Sequence, residues 1–253
     1  MTTVPHFVPP STAATPLSSS AKLPLGWLGW MVMTPFVVSF VYSALLAFKP
    51  TRAFAIQMAD ENYPVEILTF LFLLAGGIYG VHMTMRARRR KALNVLWTAF
   101  YLTFSVFLLL TAMEEISWGQ WFFHFHTPEA IARINTQQEF TLHNLNGLGG
   151  HTVWLRLAFG VGGFIGIALW FGPRAFRPVA VPPILWAWFL VITAFALGDL
   201  VTDYVGANTP VAALFEVMSE VVELLIAAVG CLYLWLKSRE LLAPGIHSAA
   251  SGL

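Results

Sequence analysis

Six long apolar runs, separated by short polar breaks, dominate the pattern along the chain. They cover residues 26–48, 65–85, 92–113, 152–172, 183–205 and 210–236. Because an α-helix rises 1.5 Å per residue, about 20 apolar residues cross the ~30 Å core of a bilayer. The pattern therefore predicts six transmembrane helices. The turn-like "GANT" before Pro210 indicates that the last two form an antiparallel pair.

The segments outside these runs predict a division of the chain into two tails and one transmembrane domain. Residues 1–25 are rich in Ser, Thr, Pro and Ala without periodicity, which is typical of a flexible tail, and we expect a second tail at 241–253. Residues 26–240 form one six-helix transmembrane domain. Its first run is too long for the apolar part of a cleaved signal peptide, so we expect this run to be retained as a span.

The longest connection, residues 114–151, predicts a lid over one end of the bundle. Aromatic residues in "SWGQWFFHFH" suit the membrane interface. Thr127 and Pro128 then form a good helix start, with threonine as the N-cap and proline at the first helical position. We therefore expect a short interfacial helix over "PEAIARIN", followed by a polar return to the fourth span.

Composition supports a membrane protein. Of 253 residues, 57% are hydrophobic and 11% are charged, with a mean hydropathy of +0.69, whereas soluble domains carry about 25% charged residues. The expected fold class is an all-α polytopic bundle. Cys231 is the only cysteine, which excludes an intrachain disulfide and a cysteine-based metal cluster.

The distribution of basic residues predicts the orientation of the chain, because cytoplasmic loops are enriched in Lys and Arg. With the N-terminus inside, ten of the fourteen fall on the cytoplasmic side: Lys22, Arg86, Arg88, Arg89, Arg90, Lys91, Arg174, Arg177, Lys237 and Arg239. We expect both termini to be cytoplasmic, with the protein in a bacterial inner (plasma) membrane. The run "RARRRK" is a topogenic cluster beside a span, so no nucleic-acid partner is expected.

This orientation gathers the acidic residues at the outer side. Glu114 and Glu115 end the third span, and the lid that follows carries His143. The carboxylates of the last two spans are Asp199, Asp203, Glu216, Glu220 and Glu223. The three glutamates share one helix face, since they are spaced at i, i+4 and i+7.

An ionised carboxylate within a span costs at least ~2.5–3.5 kcal/mol, so these groups should face one another, a polar cavity or a cation. Asp199, Asp203 and Glu216 are shallow enough to reach the membrane interface instead. Arg156, near the start of the fourth span, could neutralise one carboxylate but not five. His143 is equally suited to a structural hydrogen bond.

Carboxylates together with a histidine suit a hard divalent metal ion, such as Mg²⁺, Mn²⁺, Ca²⁺, Zn²⁺ or non-haem iron. The candidate catalytic residues are Glu114, Glu115, His143, Asp199 and Glu220. The candidate metal ligands are Glu115, His143, Glu216, Glu220 and Glu223. The motifs HExxH, GxSxG, the P-loop and GxGxxG are absent, which removes the commonest hydrolase and nucleotide-binding interpretations.

The stretch from Glu114 to Leu145 resembles a signature of a family of uncharacterised bacterial multi-pass membrane proteins. The matching elements are "EEISWGQ", "TPE", Asn135, Gln138-Glu139 and "LHNL". The resemblance implies that a set of polar residues belongs together: Glu114, Glu115, Ser117, Gln120, Asn135, Glu139, His143 and Asn144. It implies no particular activity.

Three functions are consistent with these features. The first is an enzyme acting on a lipid or isoprenoid-type substrate, with Glu115 and His143 as general bases or metal ligands. The second is a non-catalytic subunit of a membrane complex that docks a protein partner through the lid. The third is a proton- or cation-coupled transporter. We favour the enzyme, because the acidic groups stop half-way across and the inner halves are apolar, as in a one-sided pocket.

Overall fold

The computed structural model describes residues 24–60, 63–135, 138–142, 145, 152–205 and 209–243. These residues form no strand beyond a single antiparallel bridge between Asn135 and Leu145. They form the helices α1 Leu25–Ala47, α2 Lys49–Met58, α3 Pro64–Arg89, α4 Val95–Glu115, α5 Gln120–Phe123, α6 Glu129–Ala132, α7 Thr152–Phe171, α8 Trp186–Val205 and α9 Pro210–Leu241. Short 3₁₀ turns cover Ser117–Gly119, Arg174–Phe176 and Pro183–Leu185. The predicted all-α class is confirmed.

Six of these helices are long and apolar enough to cross a membrane: α1, α3, α4, α7, α8 with its preceding turn, and α9. They correspond to the six predicted runs. Helices α3 and α9 extend past those runs into charged sequence. Arg86, Arg88 and Arg89 occupy the last turn of α3, where cations interact favourably with the negative end of the helix dipole. Hydropathy therefore marks the apolar part of these helices and not their ends.

Helix α9 lies at the centre of the bundle. It packs against α3 and α8, α3 packs against α4, and α8 packs against α7. Helix α1 lies against α2, α8 and α9. Half of the residues in the most apolar stretch of α9 are buried (50%), against 22–39% in the corresponding stretches of the other five spans. Helix α9 therefore has the least surface left for lipid.

Glycines let neighbouring helices approach closely. A Cβ atom on Gly80 of α3 would collide with Ser105 of α4 and Leu234 of α9. A Cβ atom on Gly163 of α7 would collide with the ring of Phe189 in α8. Small residues at such contacts are usual in membrane bundles, because close backbone approach supplies the packing energy that the hydrophobic effect does not supply within lipid.

Helix α2 was not predicted, because its sequence contains no long apolar run. It turns back on the end of α1, where the Tyr42 hydroxyl donates to the Ala55 carbonyl (2.6 Å) and the Arg52 guanidinium donates to the Leu46 carbonyl (2.8 Å). Ala55 is fully buried, whereas Phe54 is exposed. The helix is thus amphipathic, with one face packed on the bundle.

A polar network lies at the bundle end where α9 terminates. The hydroxyls of Tyr101 and Tyr233 donate to backbone carbonyls of the segment between α7 and α8 (2.5 and 2.8 Å). Lys237, which is fully buried, donates to another carbonyl of this segment (2.8 Å) and to the Glu240 carboxylate (2.5 Å). Buried polar groups therefore fasten the segment between α7 and α8 at this end of the bundle.

Candidate functional site

The opposite end of the bundle brings acidic residues of several helices together. It is formed by the first turns of α3 and α7, the last turn of α4, the second half of α8 and the first half of α9, and we call it the acidic end. Five residues on these helices interact there: Glu66, Glu115, Arg156, Asp199 and Glu223. They meet because consecutive spans run antiparallel. Glu66 lies in the first turn of α3, where the positive end of the helix dipole favours a carboxylate.

A buried ion network joins α7, α8 and α9. Arg156 Nη2 lies 2.7 Å from Asp199 Oδ2, and Arg156 Nη1 lies 3.0 Å from Glu223 Oε1. Arg156 is only 8% exposed, so both pairs are shielded from water. The arginine thus forms ion pairs with two of the predicted carboxylates rather than one. Removing one partner of such a network leaves an uncompensated buried charge, which is strongly destabilising.

Glu115 lies next to this network among other carboxylates. It is half-buried, and the charges close enough to act on it are those of Glu223, Glu220, Glu66 and Glu114. Glu220 in turn interacts with Glu223 and Glu66, and with the guanidinium of the buried network. The structure therefore brings Glu115, Glu220 and Glu223 to one place, as the shared helix face of α9 suggested.

Glu66 is a member of the acidic end that the hydropathy pattern did not indicate. It follows Pro64 at the start of a span, where a lone acid is ordinary helix-start chemistry. The available signal was its position, because the start of α3 lies at the same bundle end as the last turn of α4. The position of Glu66 indicates membership of the acidic end only once the packing of the helices is known.

A cleft opens between α3 and α4 beside Glu66 and Glu115. Its volume is about 240 Å³, and its other lining residues are apolar: Ile67, Phe70, Leu71, Ile116 and Phe122. Leu71 and Phe122 are 50% and 54% exposed, so the cleft opens on the apolar outer surface of the bundle. Glu66 and Glu115 are therefore the two acidic residues that border a cavity whose wall is almost wholly apolar.

Glu114, the neighbour of Glu115, holds the lid. Its Oε1 accepts a hydrogen bond from the Trp118 indole (2.6 Å), and its Oε2 accepts one from the backbone N–H of Leu142 (2.6 Å). Hydrogen bonds to a carboxylate are roughly twice as strong as neutral ones. Of the two candidate catalytic glutamates, Glu114 thus contacts the lid and Glu115 lies in the cleft.

Further hydrogen bonds connect the polar residues of the lid. Ser117 donates to Glu139 (2.7 Å), and the amide side chain of Gln120 accepts from the backbone N–H of Phe140 (3.0 Å). Asn135 donates to the carbonyl of Thr141 (2.9 Å). The lid is thus held together by its own hydrogen bonds, two of which join its return segment to the turn and short helix after α4.

The short lid helix exists, but it begins differently from the prediction. Helix α6 spans Glu129–Ala132, with Pro128 at the N-cap position. The Thr127 hydroxyl hydrogen-bonds the side chain of Gln120 instead of capping the helix. The prediction of Thr127 as N-cap is therefore wrong, because a tertiary contact competes for its hydroxyl.

The turn after α4 has an unusual backbone. Ser117, Trp118 and Gly119 all have positive φ angles (47°, 54° and 83°). For the two non-glycine residues this left-handed conformation costs energy, and it persists where the surroundings enforce it. Both side chains are held by carboxylates, Ser117 by Glu139 and Trp118 by Glu114. These contacts direct the chain from α4 into the lid.

The remaining candidates are placed as follows. Glu216 is exposed near the start of α9, and its charge is not among those acting on Glu115 or Glu220. His143 and the side chain of Asp203 lie outside what the structure describes. Among the described residues, no group of three or more His, Cys, Asp and Glu side chains is arranged to hold a metal ion.

Comparison with protein-family models, curated proteins and solved structures gives no match for this chain. A fold alone does not imply a function, so the function is argued below from the residues of the acidic end.

Proposed function

We propose that this protein is an integral membrane enzyme that acts on a lipid or isoprenoid-type substrate at the acidic end. The supporting observation is the cleft of about 240 Å³, which Glu66 and Glu115 border together with five apolar residues. A substrate with an apolar chain and a polar reacting group would match this combination of apolar and acidic residues. Pockets of this kind, apolar with a few convergent polar groups, are the usual place for a binding site.

In this proposal the carboxylates have two roles. Arg156 pairs with both Asp199 and Glu223 and joins α7, α8 and α9. Glu115 and Glu220 face mainly other carboxylates, and in this role they exchange a proton with the substrate. Neighbouring carboxylates in different environments are the usual arrangement for acid–base catalysis. Glu115, which lines the cleft, is the proposed general acid or base.

A lipid-turnover experiment tests this proposal. The purified protein is incubated with an isotope-labelled bacterial lipid extract, and new lipid species are followed by mass spectrometry. We expect a product that Glu115→Gln abolishes and that Glu216→Gln, an exposed glutamate on α9, leaves unchanged. The absence of any product with the unaltered protein would rule out the enzyme. Repeating the reaction with a chelator, and measuring bound metal in Glu115→Gln and Glu220→Gln, tests the divalent-metal form.

A docking subunit is the second candidate, and the exposed surface of the lid favours it. Phe123 and Leu142 are 79% and 60% exposed, and Phe122 is 54% exposed. Aromatic and aliphatic surface of this kind suits either the bilayer interface or a membrane-protein partner. Affinity purification in a mild detergent distinguishes the two, since a stable partner lost on Phe123→Ser supports the subunit and no partner excludes it.

A further inference from the structure

We propose that the segment between α7 and α8 binds the head group of an anionic phospholipid through Arg174 and Arg177. This site lies at the opposite end of the bundle from the acidic end, so it does not depend on the proposed activity. Three features carry the inference: the charge of this end, the way in which the segment is fixed, and the placement of the two arginines.

The end of the bundle where α9 terminates is strongly basic, and we call it the basic end. Its cations lie at the end of α3, in the turn before α4, between α7 and α8, and near the end of α9: Arg86, Arg88, Arg89, Arg90, Lys91, Arg174, Arg177, Lys237 and Arg239. Within the described part of the chain, the acidic residue at this end is Glu240, whose carboxylate is paired with Lys237 (2.5 Å). The basic end therefore carries a large excess of positive charge, which favours an anionic partner.

Phospholipid head groups are the anions nearest to the basic end. Helices α3 and α7 end here and α4 begins here, and all three are long and apolar enough to span a membrane. Apolar side chains on the outside of the bundle lie beside the cations: Val95 and Leu96 at the start of α4 are 70% and 63% exposed, and Phe171 at the end of α7 is 75% exposed. The level at which an exposed apolar surface gives way to cations is the level of the lipid phosphates.

Buried side chains hold the segment between α7 and α8 in place. Three successive carbonyls of the segment each accept a hydrogen bond from a buried side chain of α4 or α9. The donors and acceptors are Lys237 to Arg177 (2.8 Å), Tyr101 to Pro178 (2.5 Å) and Tyr233 to Val179 (2.8 Å). The ring of Phe176 also packs against Trp97 of α4, with 5.9 Å between the centroids. The backbone that carries the two arginines is therefore preorganised, which lowers the entropic cost of binding.

Arg174 and Arg177 are placed to hold one phosphate group together. The Arg177 N–H donates to the Arg174 carbonyl (3.1 Å) in a 3₁₀ turn, and side chains three residues apart in such a turn project from the same side. Both arginines are exposed, and neither forms an ion pair among the described residues. The Arg177 guanidinium lies 4.8 Å from the centroid of the Trp170 ring, a contact that leaves N–H groups at its edge for a phosphate. Each guanidinium presents a planar fork that matches phosphate oxygens.

The experiment compares two phospholipids with identical acyl chains, a phosphatidylglycerol and a phosphatidylcholine. Each is titrated into the full-length protein in detergent micelles, and bound lipid is measured by native mass spectrometry. We expect the phosphatidylglycerol to bind roughly tenfold more tightly, because it alone carries a net negative charge. Equal affinities would overturn the assignment of an anionic head group. Displacement by inorganic phosphate, at a concentration where chloride of the same ionic strength has no effect, would overturn the lipid as the occupant.

Two double variants distinguish a formed site from general attraction by charge. Arg174→Gln with Arg177→Gln removes the proposed contacts, whereas Arg88→Gln with Arg89→Gln removes the same charge from the last turn of α3 at the same end. We expect the first pair to weaken binding of phosphatidylglycerol roughly tenfold and the second by about threefold or less. Similar losses would show that only the net charge matters and would overturn the site. Thermal unfolding of each variant shows that it is folded.

A further control lies at the opposite end of the bundle. Arg133→Gln in the lid removes a cation whose side chain is 78% exposed, and it should leave the affinity for phosphatidylglycerol unchanged. A loss comparable to that of the Arg174 and Arg177 pair would overturn the placement of the site at the basic end.

Discussion

Glu114 and Glu115 are adjacent in the sequence, but they serve different parts of the structure. The Glu114 carboxylate binds the lid through Trp118 and the backbone N–H of Leu142, whereas Glu115 lines the cleft between α3 and α4. Adjacent residues on a helix are about 100° apart, so both cannot point at one spot. The last two residues of α4 therefore contact the lid and the cleft from adjacent positions.

This division predicts different effects for the two glutamates. Glu114→Ala should loosen the lid, because it removes the acceptor of two hydrogen bonds; each bond to a charged group contributes about 1.5–3 kcal/mol. We expect faster hydrogen exchange at the Leu142 amide and faster proteolysis within the lid. Glu115→Ala should leave both rates unchanged. Equal effects of the two substitutions would contradict the assignment.

Arg156→Met should be severely destabilising. It leaves Asp199 and Glu223, whose side chains are only 17% and 29% exposed, without this cation. Breaking a buried ion pair in this way costs about 3–5 kcal/mol. Thermal or denaturant unfolding in detergent measures the loss. Combining Arg156→Met with Asp199→Asn and Glu223→Gln should restore much of the stability.

The matched control for that prediction is Arg133→Met in the lid. Arg133 pairs with Glu129 at 3.0 Å, but both side chains are largely exposed (78% and 88%). An exposed i, i+4 pair contributes only about 0.3–0.5 kcal/mol. If Arg133→Met and Arg156→Met lowered the stability by similar amounts, the buried network would contribute no more than an exposed ion pair.

Two neighbouring glycines of α7 should respond oppositely to alanine. A Cβ on Gly163 would collide with the ring of Phe189, so Gly163→Ala should cost about 1–3 kcal/mol through overpacking. A Cβ on Gly162 meets nothing within 4 Å. Gly162→Ala should therefore be neutral or stabilise by up to about 1 kcal/mol through helix propensity. Equilibrium unfolding of both variants checks the packing of α7 on α8.

The orientation proposed from the basic residues is tested with reporter fusions. A reporter fused after residue 140, in the lid, should be extracytoplasmic, and one fused after residue 88, at the end of α3, should be cytoplasmic. Alkaline phosphatase activity at the first site and fluorescence of a cytoplasmic reporter at the second would agree with the prediction. The reverse pattern would place the acidic end at the cytoplasmic side.

The spans were predictable because a bilayer imposes a minimum apolar length, and each of the six runs meets it. The ends of α3 and α9 were not, because Arg86–Arg89 and the last turns of α9 are helical without being apolar. Helix α2 was missed for the same reason. It is held by hydrogen bonds from Tyr42 and Arg52 to backbone carbonyls, which no local pattern reveals.

The candidate site was predictable in part. Helical spacing correctly suggested that Glu220 and Glu223 share a face, and antiparallel spans suggested that this face lies near Glu115. Glu66 and the double pairing of Arg156 were not evident, because both depend on which helices are neighbours. Glu216 has the same spacing but lies outside the cluster. Helical periodicity shows which face of a helix a residue lies on, but not how deeply the residue is buried.

The sequence by itself determined the all-α class, the six spans and the gathering of acids toward one end, because these depend on local composition and on bilayer thickness. Only the tertiary structure decided that Glu115 rather than Glu114 lines the cleft, and that Arg156 joins three helices. Those outcomes depend on how the helices are rotated and packed against one another. They are set by packing between segments that are distant in the sequence, which the hydropathy pattern does not reveal.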